Sequence, residues 1–218
     1  AASCSMIFTR GSRSSNALTI LSTGYATLQP NAGQTARHRG QEKAPNAPQH
    51  KVQTTATKGT PLAKTLVTYF SATGTTKDVA CRLARVADSD LFAIVPANPY
   101  TSADLDWRDK RSRSTLEVAN PSCRPVITSR VEHIEDYDTI FLGFPIWWYV
   151  APAIVNTFLE SYDLTGKTIV LFATSGGSGM GKTASILRAS APGAKIVDGG
   201  VLNNVSDTEL KNFAARYL

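Results

Sequence analysis

From Thr65 to the end of the chain, short apolar runs alternate with segments of helical spacing, and this alternation limits the available folds. In the first helical segment, Val79, Leu83 and Val86 recur three or four residues apart. Strands joined through helices of this length form a parallel sheet with right-handed crossovers and helices on both faces. The predicted strands cover residues 66–70, 91–95, 139–144, 168–173 and 194–197, and the predicted helices cover 76–87, 112–118, 152–161, 182–189 and 207–218.

Residues 1–63 differ from the rest of the chain. They are rich in Ser, Thr, Ala, Asn, Gln, Gly and Pro, without a sustained hydrophobic period. Such a segment cannot bury enough apolar area to offset its conformational entropy. We therefore predict that residues 1–63 form a disordered or targeting leader and that residues 64–218 form one folded domain.

The leader has two targeting interpretations. Residues 6–28 contain many Ser and Thr residues, two arginines and no acid, as organelle transit peptides do. Residues 1–4, Ala-Ala-Ser-Cys, could also be the remnant of a lipoprotein cleavage site. An unstructured extension or a misassigned gene start explains the composition equally well, and a cytoplasmic location is the expectation.

The basic charge of the chain belongs to its leader. Residues 1–64 hold eight Lys or Arg and one acid, whereas the remainder holds fifteen basic and sixteen acidic side chains. The folded part has no basic stripe with interleaved aromatics, so we expect no nucleic-acid binding. No apolar run approaches the ~18–20 residues of a membrane span, so we expect no transmembrane segment.

Cysteine and histidine usage does not suggest a metal site. The three cysteines and three histidines show no ligand spacing. Cys81 lies on the first predicted helix, where we expect it to be a small buried apolar residue.

A short hydroxyl-rich turn, Ser71-Ala72-Thr73-Gly74-Thr75-Thr76, separates the first predicted strand from the first helix. Backbone N–H groups at a helix start point outward, and the helix dipole adds partial positive charge there. Small residues let the backbone approach a ligand closely. The turn is therefore a candidate phosphate site.

A second loop follows the third predicted strand and contains Pro145-Ile146-Trp147-Trp148-Tyr149. One or two of these aromatic side chains could pack under the next helix. Consecutive side chains cannot all face one core, however, so at least one should be exposed. An exposed Trp at the carboxyl edge of a sheet suits a flat aromatic ligand, because stacking adds roughly 0.5–1.5 kcal/mol.

The third loop follows the fourth predicted strand and contains Thr174-Ser175-Gly176-Gly177-Ser178-Gly179. Residues 176–183 also match the P-loop pattern of nucleotide triphosphatases, from Gly176 to Lys182 and Thr183. Only 35 residues follow Thr183, and Asp198 is a weak candidate for the acid that would hold Mg²⁺. The P-loop interpretation would also leave the other two loops unexplained.

Taken together, the three loop sequences resemble those of the flavodoxin family, and among them the short bacterial flavodoxin-like proteins that bind FMN. The matching phrases are Val67–Thr76, Gly143–Tyr149 and Thr174–Gly179, and the resemblance extends over residues 65–218. It implies a flavodoxin-like α/β three-layer sandwich, in which a five-stranded parallel sheet has the order 2-1-3-4-5. It also implies non-covalent FMN.

The resemblance assigns a part of FMN to each loop. Ser71, Thr73, Thr75 and Thr76 would donate to the phosphate with the amides of Ala72 and Gly74. Residues 145–149 would line the isoalloxazine, with Trp147 or Trp148 against one face. Residues 174–179 would lie along its pyrimidine edge, and Tyr100 could close over the ring.

The resulting hypothesis is an FMN-binding redox protein without catalytic side chains of its own. It would transfer electrons to a partner protein, or reduce a quinone-like acceptor with NAD(P)H, and the sequence does not separate a carrier from an enzyme. Two alternatives remain: a P-loop nucleotide triphosphatase that uses Gly176–Thr183, and a cofactor-free binding module with the same fold. The domain charge of −1 differs from the strongly acidic surface of carrier flavodoxins.

Overall fold

The computed structural model describes residues 64–218, and the predicted leader, residues 1–63, lies outside the described part. Five strands form one sheet in the order β2-β1-β3-β4-β5, and every neighbouring pair is parallel. This confirms the predicted fold class and strand order. The strands are β1 (Lys64–Tyr69), β2 (Asp90–Ala93), β3 (Tyr137–Pro145), β4 (Thr168–Thr174) and β5 (Lys195–Val201).

Five α-helices connect and cover the strands. They are α1 (Thr75–Ala87), α2 (Arg113–Ala119), α3 (Ala153–Glu160), α4 (Thr183–Leu187) and α5 (Asp207–Ala214), with 3₁₀ turns at Ile134–Asp136 and Arg188–Ser190. Within residues 64–218, no helix combines the length and the apolar character that crossing a membrane demands.

Most element boundaries lie one to four residues from their predicted positions. The last helix ends at Ala214 rather than Leu218, because Arg216 and Tyr217 donate to carbonyls three residues back, as in a 3₁₀ turn. The helix predicted over 182–189 continues as a 3₁₀ turn after Leu187. Strand β5 extends to Val201, although residues 198–200, Asp-Gly-Gly, have no apolar character.

The sheet is buried on both faces, as its continuous apolar strands predict. On β3, Ile140, Leu142 and Phe144 belong to one core, whereas Phe141 belongs to the other. The first core includes side chains from α3, and the second includes side chains from α1 and α5. These two cores give the three layers of the fold.

Side-chain contacts join α1 and α5, the two helices that cover the second core. Asp207 at the start of α5 accepts from Arg82 Nε at 2.8 Å and from Arg85 at 2.6 Å, and both arginines lie on α1. Cys81 on the same helix is half-buried rather than buried as expected, whereas Cys123 is buried.

The order of the strands brings three loops to one edge of the sheet. Strands β1, β3 and β4 are neighbours, so the loops that follow them lie side by side at their carboxyl ends. This is the edge at which open α/β sheets bind their ligands. Gly143 allows β3 and β4 to pack closely there, since a Cβ at this position would lie 2.2 Å from Phe172 Cζ.

Candidate functional site

A cavity of about 560 Å³ opens at the carboxyl edge of the sheet, and all three predicted loops contribute to its walls. No charged side chain within residues 64–218 lines it, so the polarity of these walls comes from hydroxyl and backbone groups. The lining residues are Ala72, Thr73, Thr76, Leu105, Trp107, Ser114, Pro145, Ile146, Trp147, Trp148, Tyr149, Ser175, Gly176, Gly177 and Ser178.

The hydroxyl turn is shaped by hydrogen bonds within itself. Gly74 has φ of +95°, which an L side chain rarely adopts, and it precedes the first residue of α1. The Gly74 N–H donates to Ser71 Oγ at 3.1 Å, and the Thr73 and Thr75 hydroxyl oxygens lie 3.4 Å apart. Thr73, Gly74 and Thr75 are exposed, so the turn presents hydroxyl groups at the N-terminus of a 13-residue helix.

Thr76 joins the hydroxyl turn to the sheet. Its side chain is buried, and its hydroxyl lies 2.8 Å from the hydroxyl of Thr174 at the end of β4. Thr174 does not line the cavity itself, but its hydroxyl contacts Thr76, which does. The two side chains fix the distance between the first and third loops.

The aromatic loop forms a tight two-residue turn. Trp147 and Val150 exchange two backbone hydrogen bonds, of 2.9 and 3.1 Å. The central residues, Trp148 and Tyr149, have φ of +51° and +66°. Positive φ at both central positions is characteristic of type I′ turns, which strongly favour Asn and Gly. Two bulky aromatic residues are therefore held in a conformation that costs roughly 1–3 kcal/mol each.

The three aromatic side chains all line the cavity but differ in their exposure. Trp147 packs edge-on against Phe70 and Tyr100, with ring centroids 5.6 and 5.1 Å apart. Trp148 and Tyr149 remain 43% and 68% exposed. The expectation that at least one of these side chains is exposed is confirmed, and both exposed rings line the cavity.

Tyr100 lies behind the aromatic turn and does not line the cavity. Its hydroxyl donates to Glu117 at 2.7 Å, and the Arg113 guanidinium stacks 3.8 Å from its ring centroid. Burial, reinforced by the Glu117 carboxylate, raises the pKa of Tyr100 far above its usual range. Tyr100 therefore supports Trp147 instead of closing over a ligand.

The glycine loop is held from two sides. The Ser175 hydroxyl accepts from the N–H groups of Gly177 at 3.2 Å and Ser178 at 2.8 Å. The side chain of Asn203, beyond β5, accepts from the Ser175 N–H at 3.0 Å and donates to its carbonyl oxygen. The loop is therefore positioned by a residue outside the cavity.

The structure separates the predicted site residues into two groups. Twelve of the seventeen line the cavity, and the others lie beside it; these are Ser71, Gly74, Thr75, Thr174 and Gly179. Sequence reasoning missed Leu105, Trp107 and Ser114. Leu105 and Trp107 come from the long connection between β2 and α2, and Ser114 lies in the first turn of α2. The sequence does show a tryptophan, Trp107, within a highly charged stretch, where a large apolar side chain is expected to be exposed. In the structure Trp107 is 70% exposed.

The P-loop pattern does not form a nucleotide cradle. Gly176 and Gly177 line the cavity, but Thr183 is fully buried and its hydroxyl cannot reach a solvated metal ion. A Cβ on Gly181 would lie 2.9 Å from the Tyr149 carbonyl oxygen, so the absence of a side chain here allows the backbone to pack against the aromatic turn. Helix α4 is only five residues long.

Comparison with known proteins agrees with this architecture. The chain is 48% identical to a provisionally assigned flavoprotein from Bacteroides eggerthii, over 71% of this chain and 98% of that one, with a TM-score of 0.68. A similarly assigned flavoprotein from Bacteroides uniformis is 44% identical over 70% and 98%, with a TM-score of 0.64. A flavoprotein from Lactobacillus acidophilus, solved in complex with FMN, shares the fold at 23% identity, over 70% and 99%, with a TM-score of 0.52.

Among functionally curated proteins, none matches the sequence. The sequence profile of a family described as Flavodoxin matches residues 64–217. Because this match covers more than half of the chain, the protein belongs to the flavodoxin family.

Proposed function

We propose that this protein is an FMN-binding redox protein that transfers electrons to a partner protein or reduces a small quinone-like acceptor with NAD(P)H. The observation that carries this proposal is the meeting of three loops around one uncharged cavity beside the N-terminus of α1. The cofactor is FMN, as membership of the flavodoxin family implies.

The cavity has the size and chemistry of a cofactor site. Its volume of about 560 Å³ lies within the usual range for small-molecule pockets, ~300–1,000 Å³. Aromatic walls, a hydroxyl-rich turn and a glycine loop supply apolar contact, hydrogen-bond donors and close backbone approach. These features match the flat ring and the phosphate of FMN.

The hydroxyl turn would hold the phosphate. Thr73 and Thr75 are exposed beside the first backbone N–H groups of α1, where the helix dipole favours an anion. None of the described residues that line the cavity is charged, so neutral donors would hold the phosphate. The buried pair of Thr76 and Thr174 keeps this turn in place against β4.

The aromatic turn and the glycine loop would hold the ring. Trp148 and Tyr149 offer exposed faces for stacking, and Gly176 and Gly177 allow close backbone contact. When bound, FMN supplies the electron-transfer chemistry that the side chains lack. An apolar, uncharged wall disfavours negative charge in the cavity, so these residues would make the reduced cofactor a stronger electron donor.

The proposal is tested by comparing the affinities of FMN and riboflavin, which differ in the phosphate. We expect riboflavin to bind at least about tenfold more weakly, because it leaves the hydroxyl turn and the helix N-terminus without an anion. Thr73→Ala should weaken FMN binding about three- to tenfold and leave riboflavin binding unchanged. Flavin fluorescence quenching measures both constants.

Lys182→Ala is the matched control, since it removes the lysine of the P-loop pattern without touching the cavity. FMN affinity should be unchanged in this variant. A wild-type protein that binds no FMN but binds Mg²⁺ and ATP through Lys182 would overturn the proposal in favour of a triphosphatase. A protein that binds neither would favour a cofactor-free binding module.

Carrier and reductase activities are separated by a second measurement. The FMN-loaded protein is assayed for steady-state oxidation of NADPH, with and without a soluble quinone. Turnover that depends on the quinone indicates a reductase. No turnover, together with rapid oxidation of the chemically reduced protein by a redox partner, indicates a carrier.

A further inference from the structure

The connection between β2 and α2 carries a short loop that forms one side of the cavity mouth. Residues 105–113, here called the rim loop, are closed at their base, because the Ser114 N–H donates to the Asp104 carbonyl oxygen at 3.0 Å. Asp104 is itself held by Thr101, whose N–H and hydroxyl both donate to its carboxylate at 2.8 Å. Leu105 and Ser114 line the cavity at this base. The rim loop therefore has a fixed position beside the cavity.

Trp107 is the large apolar side chain that the rim loop leaves open to water. It lines the cavity and makes no contact with another aromatic ring or with a cation within residues 64–218. Trp107, Trp148 and Tyr149 are the three exposed aromatic residues of the described chain, and all of them line this cavity. Tryptophan and tyrosine are the side chains that most often supply the binding energy of protein interfaces.

Three exposed lysines lie beside the cavity mouth, each on a different segment. Lys77 lies in the first turn of α1, and Lys110 belongs to the rim loop. Lys182 follows Gly181, whose backbone packs against that of Tyr149. None of the three ammonium groups forms an ion pair or a hydrogen bond within residues 64–218. Their charges are therefore available to a partner.

The acidic side chains near the mouth do not cancel these charges. Asp78, Asp106 and Asp109 are each paired with an arginine, at 3.8, 3.0 and 3.9 Å. Asp104 bonds only to the neutral donors of Thr101, so it leaves one negative charge against the three lysines. The excess charge around the mouth is therefore positive.

Unpaired charges of the opposite sign lie at the other edge of the sheet. Asp88 and Glu132 precede β2 and β3, and Asp138 is the second residue of β3. All three carboxylates are exposed and have no partner within the described residues, whereas Lys195 is an exposed lysine at the same edge. Charges separated in this way orient a protein, so an acidic partner would approach the cavity edge first.

The positions of the lysines favour a large partner over a small anion. None of the three lines the cavity, so a small anion inside it would contact none of them. A protein surface that covers the mouth could contact all three and bury Trp107 at the same time.

We propose that the cavity mouth docks a redox protein whose surface is acidic around its own redox centre. Trp107 would supply the apolar contact, and Lys77, Lys110 and Lys182 would orient the partner. This inference rests on the proposed function, since it names the kind of partner with which an FMN-binding redox protein exchanges electrons.

The charge at the mouth is tested with ferricyanide, a small trianionic oxidant. The full-length, FMN-loaded protein is reduced photochemically without air and mixed with ferricyanide in a stopped-flow instrument. Two ferricyanide ions take the two electrons of the reduced flavin. Lys110→Glu combined with Lys182→Glu should lower the rate at low salt about three- to tenfold. The loss should disappear in about 500 mM salt, which screens exposed charges.

Lys195→Glu combined with Lys211→Glu is the matched control. It changes the net charge equally, at the start of β5 and on α5, and neither residue lines the cavity. The ferricyanide rate should fall less than about twofold. Because both variants keep residues 1–63, the basic leader affects the two rates alike.

Docking itself is measured by NMR titration with an acidic plant-type ferredoxin, and the basic protein cytochrome c serves for comparison. We expect saturable amide shifts in residues 107–111 with ferredoxin and none there with cytochrome c. Trp107→Ala should weaken ferredoxin binding at least about threefold, whereas Trp107→Phe should retain most of it.

The proposal fails if the two pairs of charge variants behave alike, or if cytochrome c rather than ferredoxin shifts the rim loop. A ferricyanide effect without ferredoxin binding would mean that the mouth attracts small anions only, which also overturns a protein partner. FMN affinity is measured in every variant, and the ferredoxin titration is repeated without FMN. A failure of docking therefore remains distinguishable from a failure of the proposed function.

Discussion

Asn203 is a residue that controls the cavity without lining it. Its amide side chain bonds both the N–H and the carbonyl of Ser175, the residue that begins the glycine loop. We expect Asn203→Ala to weaken FMN binding about three- to tenfold, because the loop must then be ordered when the ligand binds. Asn203→Asp keeps the acceptor and loses the donor, so its affinity should be intermediate. Flavin fluorescence titration measures the series.

Asn204→Gly serves as the control for Asn203. Asn204 adopts a φ of +52°, which glycine also tolerates, so the backbone should keep its course. Affinity for FMN should stay within about twofold of the wild type. An equal loss in both variants would show that the whole connection after β5, rather than the Ser175 contact, determines affinity.

Gly143 is needed for close packing between two central strands. A Cβ there would lie 2.2 Å from Phe172 Cζ, deep in the core. Gly143→Ala should lower the free energy of unfolding by about 1–3 kcal/mol, as overpacked cores do. Urea denaturation of the protein without FMN measures this change. Gly176→Ala is the control, since a Cβ there would meet nothing within 4 Å, and its stability should be nearly unchanged.

A second substitution checks the cause of the Gly143→Ala effect. Phe172→Leu shortens the side chain that the new methyl group would strike. The double variant should recover part of the stability lost by Gly143→Ala, so the two changes should be non-additive. Additive losses would contradict the steric explanation.

At the scale of elements, the contact between α1 and α5 makes stability depend on pH. Hydrogen bonding to Arg82, helped by the charges of Arg82 and Arg85, holds the pKa of Asp207 below its ordinary value. A carboxyl whose pKa is lower in the folded state stabilises the protein above its unfolded pKa, and this stabilisation is lost as pH falls through the folded pKa. We expect Asp207→Asn to flatten the fall in unfolding free energy below about pH 4.

The arginine partners provide the reciprocal test of that contact. A double variant, Arg82→Gln with Arg85→Gln, should show the same flattening in urea denaturation between about pH 4 and pH 2. Other carboxyls with lowered pKa values, such as Glu160, keep part of the slope in every variant. Identical curves for the wild type and both variants would contradict the role of Asp207.

The elements were predictable where a single residue pattern dominates. Continuous apolar runs identified β1, β3 and β4, the spacing of apolar residues identified α1, and Pro152 marked the start of α3. The predicted β5 ended at residue 197, whereas the strand extends through Gly199 to Val201. In the structure a Cβ on Gly199 would lie 2.4 Å from the Leu171 carbonyl oxygen, so this glycine belongs to a close strand approach. That requirement comes from tertiary packing and leaves no local signal.

Two features of the candidate site were likewise invisible in the sequence. Trp107 reaches the cavity through the long connection after β2, whose course is set by contacts such as Thr101 with Asp104. The clamp from Asn203 joins residues 28 positions apart. Pairings at such sequence separations depend on the finished fold rather than on local propensity.

At the scale of the whole molecule, the cofactor should stabilise the entire domain. A ligand that binds only the folded state adds about 2.7 kcal/mol of stability when its free concentration is 100 times its dissociation constant. We expect FMN to raise the melting temperature in proportion to the logarithm of its concentration. Riboflavin at the same concentration should raise it less, because it lacks the phosphate.

Thermal denaturation over a series of FMN concentrations measures this stabilisation, and Lys182→Ala should follow the wild-type curve. A melting temperature that does not respond to FMN would contradict the proposed cofactor.

The position of the site in the molecule could be predicted from the sequence, because three loops that follow adjacent parallel strands must meet at one edge of the sheet. The roles of residues 1–63 and the redox partner stay predictions, since no contact within the described residues bears on them.

The aromatic turn has a consequence for how this chain could change over generations. Trp148 and Tyr149 occupy left-handed backbone positions at which Asn and Gly would be more stable. A variant that no longer needs to bind a flat ligand would gain thermal stability if Asn or Gly replaced Trp148 or Tyr149. A tryptophan and a tyrosine at the two central positions of such a turn therefore place a ligand-binding surface above stability.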